Sequence, residues 1–257
     1  MSATLTANAV GSATITATVQ NVRATAIVQV KTSVPLARIL DSIVTADQLP
    51  ALGAAVVSGT TVVAYDAVGS RRSGGPRNVT SLDRFHMGSN RKSQTALLAA
   101  RLVEKGTLNW STSLAQYFPD LSATMNAAYR SLTLRDLLNH TAGLPHDPPY
   151  TLCNGATPTA GRRNIANYSL AQPPATPVGQ YAYSNLGYEI AGAVIESVTG
   201  QTYETLIQQA IWNPLGISTA GFGPPGTAGL EDQPLGHTGT VGAYAPIYND
   251  NPPCLGP

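Results

Sequence analysis

A serine and a lysine three residues apart, Ser89 and Lys92, are the pair in this chain best suited to chemistry. Residues i and i+3 of a helix share a face, so the hydroxyl and the amine can meet. A serine hydroxyl is a poor nucleophile until a neighbouring base takes its proton. Lysine serves as that base where burial or nearby charge favours its neutral form. The chain has only three lysines, Lys31, Lys92 and Lys105, and only Lys92 has a serine three residues upstream. A helix start also aims backbone N–H groups at incoming negative charge. One turn thus supplies a nucleophile, a base and part of an oxyanion site. On an ordinary helix the same short pattern is a surface serine and a solvated lysine, so the rest of the chain must decide.

A second constellation lies 94 residues after Ser89. Tyr183-Ser184-Asn185 is the only Tyr-x-Asn in the chain and sits where a turn enters a helical pattern. A tyrosine hydroxyl ordinarily ionises near pH 10, so it works as a base near neutrality only beside a cation that favours its phenolate. Lys92 is such a cation. Asn185 offers two donors and an acceptor, suited to holding an amide or ester carbonyl. Taken singly, Tyr183 reads better as a half-buried aromatic and Asn185 as a turn residue.

These residues need elements to carry them. Behind Ser89 an apolar helical pattern runs through Ala96, Leu97, Ala100, Leu102 and Val103 and stops near Gly106. Its small residues predict close packing on all sides, which would keep Lys92 from water. Leu36, Ile39, Leu40 and Ile43 have helical spacing, closed by Pro50. Leu52–Val57 and Thr61–Tyr65 read as strands paired across residues 58–60. Thr133-Leu134-Arg135-Asp136 has the form of a capping box for a short helix. His140, near its end, is a candidate base or a cap for carbonyls. Residues 145–180 show many prolines and no period, which predicts a long connection lining the site. Two further helices carry Ile190, Val194, Ile195 and Val198, then Leu206, Ile207, Ala210 and Ile211. From Gly221 to Pro257 no periodic element stands out. Ser12–Val19 and Ala24–Val30 alternate and are rich in Thr, Val and Ile, so they read as a hairpin turning at residues 20–23.

The 257-residue chain holds one large domain or two small ones. Hydrophobic residues at 43% suffice for a core, and no apolar run is long enough to span a membrane. A net charge of +1 with no basic stripe argues against nucleic acid as a partner. Charged residues at 11% are sparse, and Ala, Thr, Ser and Gly dominate, a composition that suits export to the periplasm or beyond the cell. The first residues lack the basic start and apolar block of a signal peptide. Cys153 and Cys254 are consistent with one disulfide or with two free thiols.

Taken together the stretches resemble the serine β-lactamase and penicillin-binding-protein superfamily, nearest its class C and family VIII esterase branch. The resemblance rests on Phe85-x-x-Gly88-Ser89-x-x-Lys92, Leu108 through Pro119, Leu134 through Pro145, Tyr183-Ser184-Asn185-x-Gly187-Tyr188 and Pro214-Leu215-Gly216. Five blocks in order carry far more weight than any one of them. The resemblance implies an α+β fold, an antiparallel sheet flanked by helices with a helical subdomain beside it. It implies Ser89 as acylated nucleophile, Lys92 and Tyr183 as the general-base pair and Asn185 as a substrate contact. Acylation followed by hydrolysis of an ester, a β-lactam or a peptidoglycan peptide is the implied reaction, with no metal or organic cofactor. Gly88-Ser89 does not form Gly-x-Ser-x-Gly, which argues against a nucleophile-elbow hydrolase.

The superfamily's third motif, Lys-Thr-Gly or His-Thr-Gly, lies on a strand near its C-terminus and donates an oxyanion N–H. His237-Thr238-Gly239 has that form but follows Tyr183 by only 54 residues, and its surroundings resemble a mid-domain stretch of the esterase branch. It is therefore read as coincidence. The closing strands are then absent and residues 33–257 form an incomplete hydrolase domain, expected to be weakly active or inactive by itself. Residues 1–32 resemble the last two strands of a bacterial immunoglobulin-like repeat, or a linker. The competing expectation is a non-catalytic module that keeps the fold to bind cell-wall peptides or a partner.

Overall fold

The structure, a computed structural model, describes residues 11–19, 22–30, 34–248, 252 and 254–257. Among the described residues it is an α+β arrangement of three two-stranded antiparallel ribbons and a set of helices. Strand β1 (Gly11–Val19) pairs with β2 (Val22–Val30), Gly11 opposite Val30 and Val19 opposite Val22. The expected hairpin is thus present, although residues 20 and 21 of its turn lie outside the described residues. Helix α1 (Leu36–Ala46) packs on β3 (Ala51–Ser58) and β4 (Thr61–Gly69). These pair with a register shift between Val56 and Val57.

The helical part holds most of the buried side chains. Its elements are α2 (Arg91–Glu104), α3 (Leu114–Tyr117), α4 (Ala127–Arg130), α5 (Leu134–Leu138), α6 (Pro158–Ala171), α7 (Asn185–Thr199) and α8 (Tyr203–Ile207). A π turn, Gln208–Trp212, continues α8. Every residue from Leu186 to Glu196 is buried, so α7 is the axis of this half, packed against α2, α3, α5, α6 and α8. A helix that is apolar nearly all round belongs inside a core. Its first turn carries Asn185, so the site is anchored in the best-packed element of the molecule.

Three sequence expectations are corrected. Helix α2 is not packed on all sides: Thr95, Leu98, Ala99 and Leu102 are buried, while Ser93, Leu97 and Ala100 are exposed. The stretch 145–180 is not all connection, since α6 crosses it. Near the end, β5 (Gly236–Thr240) and β6 (Ala243–Ile247) form a ribbon where no element was expected.

Cys153 and Cys254, both buried, are joined in a disulfide that spans 101 positions of chain. A cross-link closing a loop of that size removes much of the unfolded chain's freedom and typically stabilises by about 2–4 kcal/mol. The double variant Cys153→Ser, Cys254→Ser should lose about that much in urea denaturation. An unchanged unfolding free energy would contradict a stabilising role.

Candidate active site

Residues Gly88–Asn90 form a single 3-10 turn that runs straight into α2, putting Ser89 one turn before Lys92. Ser89 is exposed and Lys92 half-buried. The Lys92 ammonium donates to Ser89 Oγ at 3.2 Å and to Asn185 Oδ1 at 2.7 Å. Ser89 Oγ and Tyr183 Oη are 2.6 Å apart, short even for an O–H···O contact. The structure therefore brings all four sequence-predicted residues, Ser89, Lys92, Tyr183 and Asn185, into one hydrogen-bonded group.

The local chain explains how Tyr183 is placed. Thr133 and Asp136 close the expected capping box on α5, with Asp136 Oδ2 accepting from the Thr133 amide at 2.8 Å. Asn139 caps the end of the helix, and His140 takes a positive φ of 60° that turns the chain back. At Gly143, with φ +72°, a Cβ would lie 2.6 Å from the Thr176 carbonyl oxygen, so a side chain there would push the two segments apart. The Thr141 carbonyl accepts from Gly179 N–H and the His140 carbonyl from Ala182 N–H, both at 2.8 Å. Ser184 then caps α7, accepting from Gly187 N–H at 3.0 Å and donating to the Pro145 carbonyl at 2.6 Å. At Gly187 a Cβ would approach the Leu137 carbonyl oxygen to 3.0 Å, so α7 and α5 meet closely there.

His140 serves this placement. Its Nδ1 accepts from the Ser184 amide at 3.1 Å and its ring lies 4.5 Å from that of Tyr183. Accepting at Nδ1 requires a ring that keeps its proton on Nε2. Burial, and then the Lys92 charge, hold His140 below the usual histidine range. Burial pushes the Tyr183 hydroxyl up, but Lys92 and Ser89 beside it outweigh burial and leave it below the usual tyrosine range.

Asp147 belongs to this group although nothing in its sequence spacing singles it out. Its Oδ1 accepts from Asn185 Nδ2 at 2.7 Å and from the Tyr150 hydroxyl at 3.2 Å, and His146 Nδ1 lies 2.9 Å from Oδ2. The Asn185 bond, more than His146 or Tyr150, lowers the Asp147 carboxyl below its usual range. Asn185 is thus gripped on both sides, by Lys92 and by Asp147. One Nδ2 hydrogen remains for another acceptor. The signal that could have found Asp147 is only its place in the loop expected to line the site.

His237-Thr238-Gly239 stands elsewhere in its bonding. It lies on β5, and His237 Nε2 accepts from the Ser73 amide at 2.9 Å. Among the described residues no group of three or more His, Cys, Asp or Glu side chains is placed to hold a metal ion. No helix among them is long and apolar enough to cross a membrane.

An α+β fold with a Ser-x-x-Lys turn facing a Tyr-x-Asn turn is the arrangement that the resemblance to serine β-lactamases and penicillin-binding proteins implies. The comparisons agree. The Beta-lactamase family model matches residues 36–253, and the chain belongs to that family. It is 29% identical over 184 residues to Penicillin-binding protein 4 of Amycolatopsis lactamdurans, covering 70% of this chain and 47% of that protein. It is 28% identical over 158 residues to a putative D-alanyl-D-alanine carboxypeptidase of Escherichia coli K12, covering 58% of this chain and 36% of the relative. The class C beta lactamase of Rhodobacter sphaeroides superposes with a TM-score of 0.57 at 26% identity, over 70% of this chain and 48% of that one. The chain thus spans less than half the length of each of these relatives.

Proposed function

We propose that this chain is a serine hydrolase that forms an acyl-enzyme on Ser89, with Tyr183 and Lys92 as its general-base pair. The observation that carries the reading is the pair of contacts on Ser89 Oγ, 2.6 Å to Tyr183 Oη and 3.2 Å to Lys92 Nζ. Because Lys92 donates to Oγ, the serine's own proton is free to point at Tyr183. Beside that cation the Tyr183 hydroxyl ionises below its usual range, and it is the phenolate that takes the serine proton. Ser89 Oγ then attacks the substrate carbonyl and the proton passes to the departing alcohol or amine. The second half reverses these roles, with water giving its proton to the same pair and its oxygen to the acyl carbon. Asn185, fixed by Lys92 and Asp147, offers its remaining N–H to the acyl part of the substrate.

The names of the relatives support β-lactams and peptides ending in D-alanine as substrates to try, beside the esters that the sequence motifs suggest, and the composition supports an exported location. A fluorescent penicillin or a fluorophosphonate should label the protein covalently at Ser89, and Ser89→Ala should abolish the label. A chain that stays unlabelled by both probes, or labels equally in Ser89→Ala, would sink the reading.

A further inference from the structure

Glu189 lies on α7 one turn beyond Asn185, the residue that receives Lys92. Positions i and i+4 stack on one face of a helix, so its carboxyl is directed along the same side as the site. The residue is 3% exposed, and its Oε2 has no hydrogen-bond partner. The charged groups that face it are Lys92 from α2, Arg162 from α6, Glu196 from α7 itself and Glu204 from α8. Tyr150, from the loop beside Asp147, and Tyr203 feel its charge in turn. Arg162 is committed to Glu196 and Glu204, with contacts of 2.5–3.0 Å, and Lys92 is turned to Ser89 and Asn185. Neither of these two cations pairs with Glu189, and an unpaired buried carboxylate is a costly charge.

We infer that Glu189 is a positioning residue for the serine chemistry, an uncharged acid that leaves the Lys92 charge undiminished beneath Ser89 and Tyr183. The inference rests on the hydrolase reading above. Burial pushes its carboxyl up to about 8, against the opposing pull of Arg162 and Lys92, so it carries its proton at neutral pH. Once ionised, its negative charge offsets that of Lys92. The Tyr183 hydroxyl is then less favoured as its phenolate, and proton removal from Ser89 gains less from a rise in pH.

The test is the rate of Ser89 acylation by a fluorophosphonate from about pH 6 to about pH 10. Above about pH 8 the wild-type rate should climb less than that of Glu189→Gln, which keeps the shape and the neutrality of the acid, and lag it by roughly 3- to 10-fold, since one unit on Tyr183 is tenfold in phenolate. Below that pH the two rates should agree. Parallel profiles with no such alkaline gap overturn the inference while leaving the hydrolase reading intact. No adduct in either protein overturns the hydrolase reading and this inference with it. Infrared spectra of the wild type supply a check that needs no variant. The carbonyl band of a protonated buried carboxyl should persist at neutral pH and disappear near pH 8. Disappearance in the ordinary glutamate range would refute it.

Discussion

Lys92→Met should slow acylation of Ser89 by about 10³-fold or more while the protein stays folded. Methionine keeps much of the unbranched stem and removes only the ammonium. That group donates to Ser89 Oγ and Asn185 Oδ1 and stands 5.1 Å from the centre of the Tyr183 ring. Its loss returns the Tyr183 hydroxyl upward, because burial, the largest influence on it, then acts with less opposition. The sign of the pH effect follows. In the wild type the phenolate forms below the usual tyrosine range, whereas in the variant it forms higher. The variant's residual rate should therefore climb with pH over a range where the wild type has already levelled. Stopped-flow acylation with a nitrophenyl ester, alongside thermal melting, measures both. A variant within tenfold of the wild type, with the same pH profile, would remove Lys92 from the mechanism.

Arg162→Met should cost about 3–5 kcal/mol of stability, the size expected when one partner of a buried ion pair is removed. Arg162 is 0% exposed. Its Nε and Nη2 reach Glu196 at 3.0 and 2.5 Å, its Nη1 and Nη2 reach Glu204 at 2.9 and 3.0 Å, and Nη1 also donates to the Cys254 carbonyl at 3.0 Å. Glu196 Oε1 additionally accepts from Thr159 Oγ1 and from the Tyr203 amide. One guanidinium thus joins α6, α7, α8 and the Cys254 segment. Removing it strands the Glu196 carboxylate in the core, and methionine fills the space without replacing any of the donors. Restoring neutrality with a second change, Glu196→Gln, should recover part of the loss. Urea denaturation of the single and double variants gives the numbers, and a single-variant loss under about 1 kcal/mol would show that the cluster is not a structural pin.

The parts of this site legible in the sequence were those fixed by local spacing. Ser89 and Lys92 meet because three residues make nearly one helical turn, and Thr133 caps α5 because Asp136 is three residues on. Tyr183 and Asn185 were legible as types suited to base and carbonyl contact, and their union with Ser89 is a tertiary fact that only resemblance anticipated. Helix α6 escaped because its buried face carries Gly161, Arg162 and Ser169 among its apolar residues, so no hydrophobic period shows. The β5–β6 ribbon escaped because Gly236, Gly239 and Pro246 are poor strand formers, and Pro246, which has no N–H to donate, is tolerated in a ribbon of only two strands among the described residues. Asp147 and Glu189 escaped for a further reason. What matters about them is burial and partners that arrive from other parts of the chain, and spacing carries no trace of either.

Cys153 ends the short turn Tyr150–Cys153, whose tyrosine steadies Asp147, which in turn grips Asn185. The sulfur bridge therefore fastens the loop beside Asp147 to the segment around Cys254 as well as bracing the core. Protein made in a reducing host and protein made in an oxidising one are accordingly two different reagents. Kinetic constants from one should not be pooled with those from the other until the thiol content of each batch has been counted.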